Sequence, residues 1–179
     1  MNKLRSILIS TNSQKVLDFF LDYPEKEFIE KDIQRYTKIS KSGVNYALRE
    51  LAKVNILFRN RKGKMYLYSL NYKDPAVRQL KILKAVAYMR PIIKKLRKLS
   101  SKIILFGSLA RGEDFLDSDI DLFIVSNKKE EIEKGIAEMR FKRKIQLVIR
   151  TELGEIELKR KNPVFYKQIQ RGIILWEKE

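Results

Sequence analysis

The sequence contains neither cysteine nor histidine. Without cysteine the chain can form no disulfide framework and no thiolate zinc site. Without histidine it excludes a Ser-His or Cys-His catalytic mechanism within the chain. It also lacks an apolar run long enough to span a membrane and a signal-peptide pattern at its N-terminus. We therefore expect a soluble, cytoplasmic protein with no membrane partner.

Acidic residues are scarce in the first part of the chain. The 179 residues include 39 Lys and Arg against 22 Asp and Glu, a formal charge of +17. Residues 1–100 hold 23 of the basic residues and 8 of the acidic ones, whereas residues 101–179 are nearly balanced. This asymmetry indicates a polyanionic partner for the N-terminal part, although a basic surface also serves solubility.

The most informative stretch is KIILFGSLARGEDFLDSDIDLFIV, residues 102–125. Two apolar runs predict strands, and a polar loop joins them. Asp119 and Asp121 stand at the head of the second strand, and alternate strand residues face the same side, so their carboxylates should project together. Two neighbouring carboxylates repel unless a cation lies between them. Oxygen ligands suit Mg²⁺ or Mn²⁺.

The first of these strands ends at Gly107-Ser108. Glycine lets the backbone approach a ligand closely, and free N–H groups at a following helix start, with the serine hydroxyl, would bind phosphate. A metal on one side and phosphates on the other suit nucleotidyl transfer. The alternative that stays open is a structural core with a solvated acidic turn.

This segment resembles the nucleotidyltransferase superfamily whose best-known member is DNA polymerase β, and in particular its minimal form. The shared pattern is Gly-Ser, ten residues, then Asp-x-Asp. The resemblance implies that Asp119 and Asp121 bind the metal and are catalytic. It implies equally that Gly107, Ser108 and Arg111 bind a nucleoside triphosphate.

One element of the family pattern differs. Such domains take a third carboxylate from a later strand, and the next candidate strand, residues 144–150, places Gln146 there. An amide brings no negative charge and cannot act as a general base, so catalytic activity stays open. Four other carboxylates lie nearby in the sequence: Asp114, Asp117, Glu152 and Glu155.

Residues 12–72 resemble a winged helix-turn-helix domain. The predicted order is helix, helix, turn, helix and hairpin. The boundaries are a helix from Thr11 or Asn12 to Tyr23-Pro24, helices Glu30–Thr37 and 41–54, and strands 57–60 and 65–70 around a tip at 61–64. Apolar spacing predicts that Val44, Ala47, Leu48 and Leu51 are buried in the third helix.

The winged-helix resemblance implies that the third helix reads double-stranded DNA. Its open face would present Lys41, Ser42, Asn45, Tyr46 and Arg49, types that suit base edges and phosphates. The wing would add Arg61, Lys62 and Lys64. Because a fold does not determine a function, a docking or dimerisation module is the alternative.

We therefore predict an α+β protein: a winged helix at 1–72, a helical connector at 73–100, and a nucleotidyltransferase-like domain at 101–179 with a mixed sheet and flanking helices. Pro91 should kink or break the connector helix. The broad apolar side of this helix predicts a homodimer seam, or packing across both domains.

Three functions follow. The leading hypothesis is a DNA-binding transcriptional regulator whose C-terminal domain binds a nucleotide. The first alternative is an active metal-dependent nucleotidyltransferase, antitoxin-like and modifying a protein, with the winged helix as a docking or autoregulatory module. The second is a transcription factor whose C-terminal domain is an inactive scaffold.

Overall fold

The computed structural model describes residues 8–139 and 141–178. The chain divides into two compact units, Met1–Lys81 and Ile82–Glu179. Residues 1–7 of the predicted first domain lie outside the described residues. None of the helices in the described ranges is long and apolar enough to cross a membrane.

The described residues of the first unit form three helices and a hairpin, followed by the start of a fourth helix. The bounds are α1, Asn12–Asp22; α2, Glu30–Thr37; α3, Lys41–Lys53; β1, Leu57–Lys62; and β2, Met65–Leu70. The two strands pair antiparallel.

Local hydrogen bonds start two of these helices where the sequence predicts. Thr11 accepts from the backbone N–H of Gln14, and the Gln14 side chain accepts from the backbone N–H of Thr11, which forms a capping box at α1. Ser40 accepts from the N–H of Gly43 at 3.3 Å and so caps α3. Between α2 and α3, Lys38 takes a left-handed conformation with φ 57°.

The core of the first unit confirms the predicted apolar stripe of α3. Val44, Ala47, Leu48 and Leu51 are buried. They pack in one cluster with α1 and with the hairpin residues Leu57, Tyr68 and Leu70. The opposite side of α3 is left to solvent.

The hairpin turn is shorter than predicted. Arg61 and Lys62 belong to β1, where they pair with Tyr66 and Met65. The prediction that they form the tip with Gly63 and Lys64 is therefore wrong. Gly63 has φ +63°, and a glycine in the left-handed region allows a two-residue turn.

Helix α4, Pro75–Leu96, continues through Pro91, so Pro91 does not break it as the sequence analysis allowed. Proline removes a single backbone N–H. Met89, Ile92 and Leu96, on either side of it, are fully buried. Burial of each such side chain stabilises by about 1.5–3 kcal/mol, enough to offset one lost hydrogen bond. The division between the two units falls inside this helix.

The second unit is built on a four-stranded sheet. Its elements are β3, Lys102–Phe106; α5, Gly107–Arg111; β4, Ile120–Val125; α6, Lys129–Ala137; β5, Ile145–Arg150; α7, Glu152–Lys161; α8, Pro163–Gln170; and β6, Ile173–Glu177. The strand order is β5-β4-β3-β6. Only β4 and β5 run parallel. The predicted mixed sheet with flanking helices is confirmed.

Strand alternation gives this sheet two apolar faces. Ile103, Leu105 and Leu122 face a cluster that includes Met89 of α4 and Ile132 of α6. The intervening residues Ile104, Phe106 and Phe123 face Leu158 of α7 and Phe165 and Ile169 of α8. The second unit therefore has three layers, with the sheet in the middle. Asp121 has the same parity as Phe123 and lies on the α8 side.

Candidate functional site

The Gly-Ser bend and the second aspartate meet at the end of β3. Phe106, the last residue of β3, pairs with Asp121 of β4. Gly107 follows with φ +73°, and a Cβ at this position would overlap the Asp121 carboxylate oxygen Oδ2. Only glycine allows the backbone to come this close to the carboxylate. The structure therefore brings these two predicted site residues into contact.

The two aspartates interact through their charges. Burial raises the pKa of Asp121, the neighbouring Asp119 carboxylate raises it further, and the Arg111 guanidinium opposes both effects. Both carboxylates are partly exposed. A partly buried pair of like charges favours either a proton or a cation between its members. The pair therefore offers hard oxygen ligands with an electrostatic reason to bind a cation.

Gln146 lies beside both aspartates. Strand β5 runs parallel to β4 with Gln146 opposite Asp121, and the Gln146 amide donates a hydrogen bond to Oδ2 of Asp119. Within residues 8–139 and 141–178 no group of three or more His, Cys, Asp or Glu is arranged to bind a metal. The third position beside the two carboxylates is therefore occupied by a neutral amide.

Arg111 and Ser108 lie on the short helix α5, which begins at Gly107 of the bend itself. Arg111 Nε lies 2.8 Å from Glu113 Oε2, and both side chains are about half exposed. The guanidinium acts electrostatically on Asp121. All five site residues predicted in this unit therefore belong to one end of the β3–β4 pair.

A partly buried ion pair anchors the loop that leads to the aspartates. Arg143 Nη1 lies 2.7 Å from Asp114 Oδ2, and the two side chains are 19% and 9% exposed. Ser118 accepts from the backbone N–H of Phe115 at 2.8 Å in the same loop. Asp114, considered above as a further carboxylate for the site, instead pairs with Arg143. This structural role was not predicted, since no local pattern links residues 29 positions apart.

The predicted recognition residues of the first unit also lie together. Lys41, Ser42, Asn45, Tyr46 and Arg49 line one open groove on α3. All are exposed except Asn45, which is partly buried. A sixth residue, Glu30 of α2, completes the groove. Sequence reasoning missed Glu30, because an acidic residue in the first turn of a helix is ordinary and gives no separate signal.

The hairpin basic residues have different surroundings. Arg61 Nε donates to the carbonyl oxygen of Gly63 at 3.2 Å, while Lys62 and Lys64 are exposed. The Arg59 guanidinium lies 3.7 Å from the centre of the Tyr66 ring. A second groove, lined in part by Arg49, Phe58 and Arg59, connects α3 with β1.

Comparison with known proteins agrees with the geometry of the second unit. A family model described as a nucleotidyltransferase domain matches residues 86–175, half of the chain. The match includes β3, β4 and β5, and therefore Gly107, both aspartates and Gln146. No curated protein matches the chain. On the family match, the chain belongs to the nucleotidyltransferase domain family.

Proposed function

We propose that this protein is a DNA-binding regulator: its first unit is a winged helix that binds double-stranded DNA, and its second unit binds a nucleoside triphosphate with Mg²⁺ or Mn²⁺. The observation that carries the nucleotide proposal is the close approach of the Gly107 backbone to the Asp121 carboxylate. This approach joins a phosphate-binding bend to a cation-binding pair.

The donor set fits a hard divalent ion. Asp119 and Asp121 are oxygen ligands on one face of the sheet, and their mutual repulsion is relieved when a cation binds. When bound, the metal supplies a positive charge that neutralises the phosphates of the nucleotide. Gly107 and Ser108 would hold these phosphates, and Arg111 would balance part of their charge.

Gln146 limits the chemistry. A general base must accept a proton at the atom that faces the nucleophile, and the Gln146 amide instead donates a hydrogen bond to Asp119. The site therefore retains residues for binding while it lacks a proton acceptor at the third position. We propose binding without efficient turnover as the state of this domain.

Isothermal titration calorimetry with ATP tests the nucleotide proposal. The wild-type protein should bind ATP in the presence of Mg²⁺ and much more weakly with EDTA. Asp119→Asn and Asp121→Asn should each weaken Mg-dependent binding at least tenfold, because each removes a charged ligand. Glu133→Gln, with the same charge change at an exposed position of α6, is the control. Binding that is independent of Mg²⁺ and of both aspartates would refute the proposal.

The rival is an active nucleotidyltransferase that modifies a protein, with the first unit as a docking or autoregulatory module. The family match favours this candidate as a class. Pyrophosphate release from ATP separates the two. An active enzyme releases pyrophosphate, loses this activity in Asp119→Asn and gains activity in Gln146→Asp. ATP binding by the wild-type protein, with no pyrophosphate release from any of the three proteins, supports the non-catalytic state.

The DNA proposal draws support from the first unit. The element order α1-α2-α3-β1-β2 is the order that the winged-helix resemblance predicts. The buried stripe of α3 leaves Lys41, Ser42, Tyr46 and Arg49 exposed. Residues 1–81 hold 17 Lys and Arg against 8 Asp and Glu. These features provide phosphate contacts and base-reading groups on one helix.

Binding to a mixed pool of DNA duplexes across salt concentrations tests this part. Affinity should fall steeply with salt, and a Lys41→Ala/Arg49→Ala double variant should bind less tightly, with a log–log slope reduced by about two. Lys128→Ala/Lys129→Ala removes two exposed lysines from the second unit and is the control. A double variant in α3 that binds like the wild type would exclude α3 as the recognition helix.

A further inference from the structure

We infer that Glu30 fixes the amide of Asn45 so that it reads an adenine in the major groove. The inference rests on the proposed DNA-binding function and deepens it, because it assigns one base to one side chain. Asn45 would be the group that touches the base, and Glu30 would be a positioning residue.

The contact between the two side chains is direct. Asn45 Nδ2 donates to Glu30 Oε2 at 3.0 Å and joins α3 to α2. Both residues line the groove on α3, together with Lys41 and Arg49. Of the groove residues on α3, Asn45 is the partly buried one. A side chain held at the floor of a groove is ordered before a ligand arrives, which reduces the entropy lost on binding.

The carboxylate determines which way the amide points. With the opposite orientation, the amide oxygen of Asn45 would face a carboxylate oxygen, and two acceptors repel. The observed orientation uses one N–H for Glu30 and leaves the second N–H and Oδ1 for a ligand. One donor beside one acceptor is the pair that matches N7 and the N6 amino group of adenine.

One oxygen of Glu30 is buried without a partner. This oxygen, Oε1, has no hydrogen-bond partner in the part of the chain that the structure describes. A buried carboxylate oxygen of this kind costs stability, while the position of Glu30 in the first turn of α2 returns some through the helix dipole. An apolar side chain of similar size would serve packing alone, so the carboxylate is better explained by its hydrogen bond to Asn45.

Three variants separate recognition from packing. Glu30→Met keeps the length of the side chain but removes the acceptor, Glu30→Gln keeps an acceptor oxygen for Asn45, and Asn45→Ala removes the reader. Each full-length protein is used to select binding sites from a random pool of DNA duplexes, and each is unfolded thermally in parallel.

The wild-type selection should contain a position fixed as adenine. Asn45→Ala and Glu30→Met should lose discrimination at this position alone, roughly tenfold or more, while salt dependence is unchanged because Lys41 and Arg49 still contact phosphates. Glu30→Gln should keep most of the preference. Glu30→Met should unfold at the same temperature as the wild type or at a higher one.

Two results would overturn the inference while DNA binding stands. One is a selected site without an adenine position sensitive to Asn45. The other is a Glu30→Met protein that selects the same site as the wild type. If Glu30→Met does not fold, the base that Asn45→Ala and Glu30→Gln select at the adenine position decides the inference. A wild-type protein that binds no duplex refutes the proposed DNA function, and the inference falls with it.

Discussion

At the scale of single residues, Gly107 meets two requirements at once. Its φ of +73° lies in the left-handed region, and its missing Cβ makes room for the Asp121 carboxylate. Gly107→Ala should therefore lose about 1–2 kcal/mol from backbone strain alone, and more from the displaced carboxylate. We expect a lower unfolding temperature together with weaker Mg-dependent ATP binding, measured by thermal denaturation and calorimetry.

Gly63 provides a matched control for this substitution. It has a similar φ, +63°, but a Cβ there would meet nothing within 4 Å. Gly63→Ala should carry the strain without the collision and should leave ATP binding intact. If the two alanine variants lose equal stability and both bind ATP normally, Gly107 has no special relation to Asp121.

Gln146→Asp should make the stability of the protein depend on Mg²⁺. The change replaces the hydrogen bond from Gln146 to Asp119 with a third carboxylate beside two others. Like charges destabilise the metal-free fold, and a divalent cation reverses the effect. We expect the unfolding temperature of this variant to fall below that of the wild type in EDTA and to rise steeply with Mg²⁺.

The control for this charge effect is Gln146→Ala, which removes the same hydrogen bond and adds no charge. It should lose stability to a similar or smaller extent in EDTA and should gain no more from Mg²⁺ than the wild type does. An Asp variant that responds to Mg²⁺ no more than the Ala variant would mean that position 146 does not reach the cation.

Residue-scale predictions from the sequence succeeded where strand geometry decides the outcome. Strand alternation predicted that Asp119 and Asp121 lie side by side, and their charges interact in the structure. The family resemblance placed Gln146 at the third-carboxylate position, and the pairing of β4 with β5 sets it opposite Asp121. Glu30 could not be found this way. Its contact with Asn45 joins two helices, and only their packing brings the side chains together.

At the scale of elements, a partly buried ionic network ties the start of β3 to β6, α7 and α8. Lys102 Nζ lies 3.0 Å from Glu177 and 3.5 Å from Glu155, and the Tyr166 hydroxyl donates to Glu155 at 3.2 Å. The hydrogen bond to Glu177 is the main cause that raises the pKa of Lys102. Burial, followed by the Glu155 charge, raises the pKa of Tyr166.

Both shifts predict loss of stability in alkali. The folded state holds the Lys102 and Tyr166 protons more tightly than the unfolded chain does. The two groups therefore make their full contribution to the free energy of unfolding below about pH 10, where both are protonated even in the unfolded chain. This contribution is lost as the pH rises through the folded pKa values. The free energy of unfolding, measured with urea at several pH values, should fall above this range.

Tyr166→Phe should make this alkaline decline shallower, because the phenol no longer ionises on unfolding while the Lys102 share remains. Tyr72→Phe, at a tyrosine outside the network, is the control. A decline of unchanged steepness in Tyr166→Phe would mean that Tyr166 does not contribute. Titration of tyrosinate by ultraviolet absorbance should also show that a phenol with a raised pKa is missing from this variant.

The first residues of helices were predicted well where they depend on a capping side chain nearby in the sequence. Thr11 and Ser40 cap α1 and α3 where the sequence predicts these helices to begin, since each accepts from a backbone N–H three residues later. The two errors have a different origin. The continuity of α4 through Pro91 depends on burial against distant strands, and the length of β1 depends on its pairing with β2. Neither quantity is encoded locally.

At the scale of the whole molecule, the predicted boundaries at residues 72 and 101 differ from the division after Lys81. Val77 is fully buried in the core of the first unit. Met89, Ile92 and Leu96 are fully buried in the core of the second. Each unit therefore takes part of its core from α4, and a cut at either predicted boundary removes buried apolar side chains from it.

Four fragments test this division. Residues 1–81 and 82–179 should each unfold cooperatively, and 82–179 should keep Mg-dependent ATP binding. Residues 1–72 should be less stable than 1–81 by at least about 1.5–3 kcal/mol, the contribution of one fully buried valine. Residues 101–179 lack Met89, Ile92 and Leu96 and should lose about three times as much, a loss comparable to the whole stability of a small domain.

Urea unfolding, monitored by circular dichroism, measures these differences in stability. The matched control for the 1–72 fragment is Val77→Ala in the 1–81 fragment. This variant loses two methyl groups from the same core and should lie between 1–81 and 1–72 in stability. If 1–72 is as stable as 1–81, Val77 does not contribute to the core of the first unit. A stable 101–179 fragment that binds ATP would show that the sheet and its C-terminal helices suffice without α4.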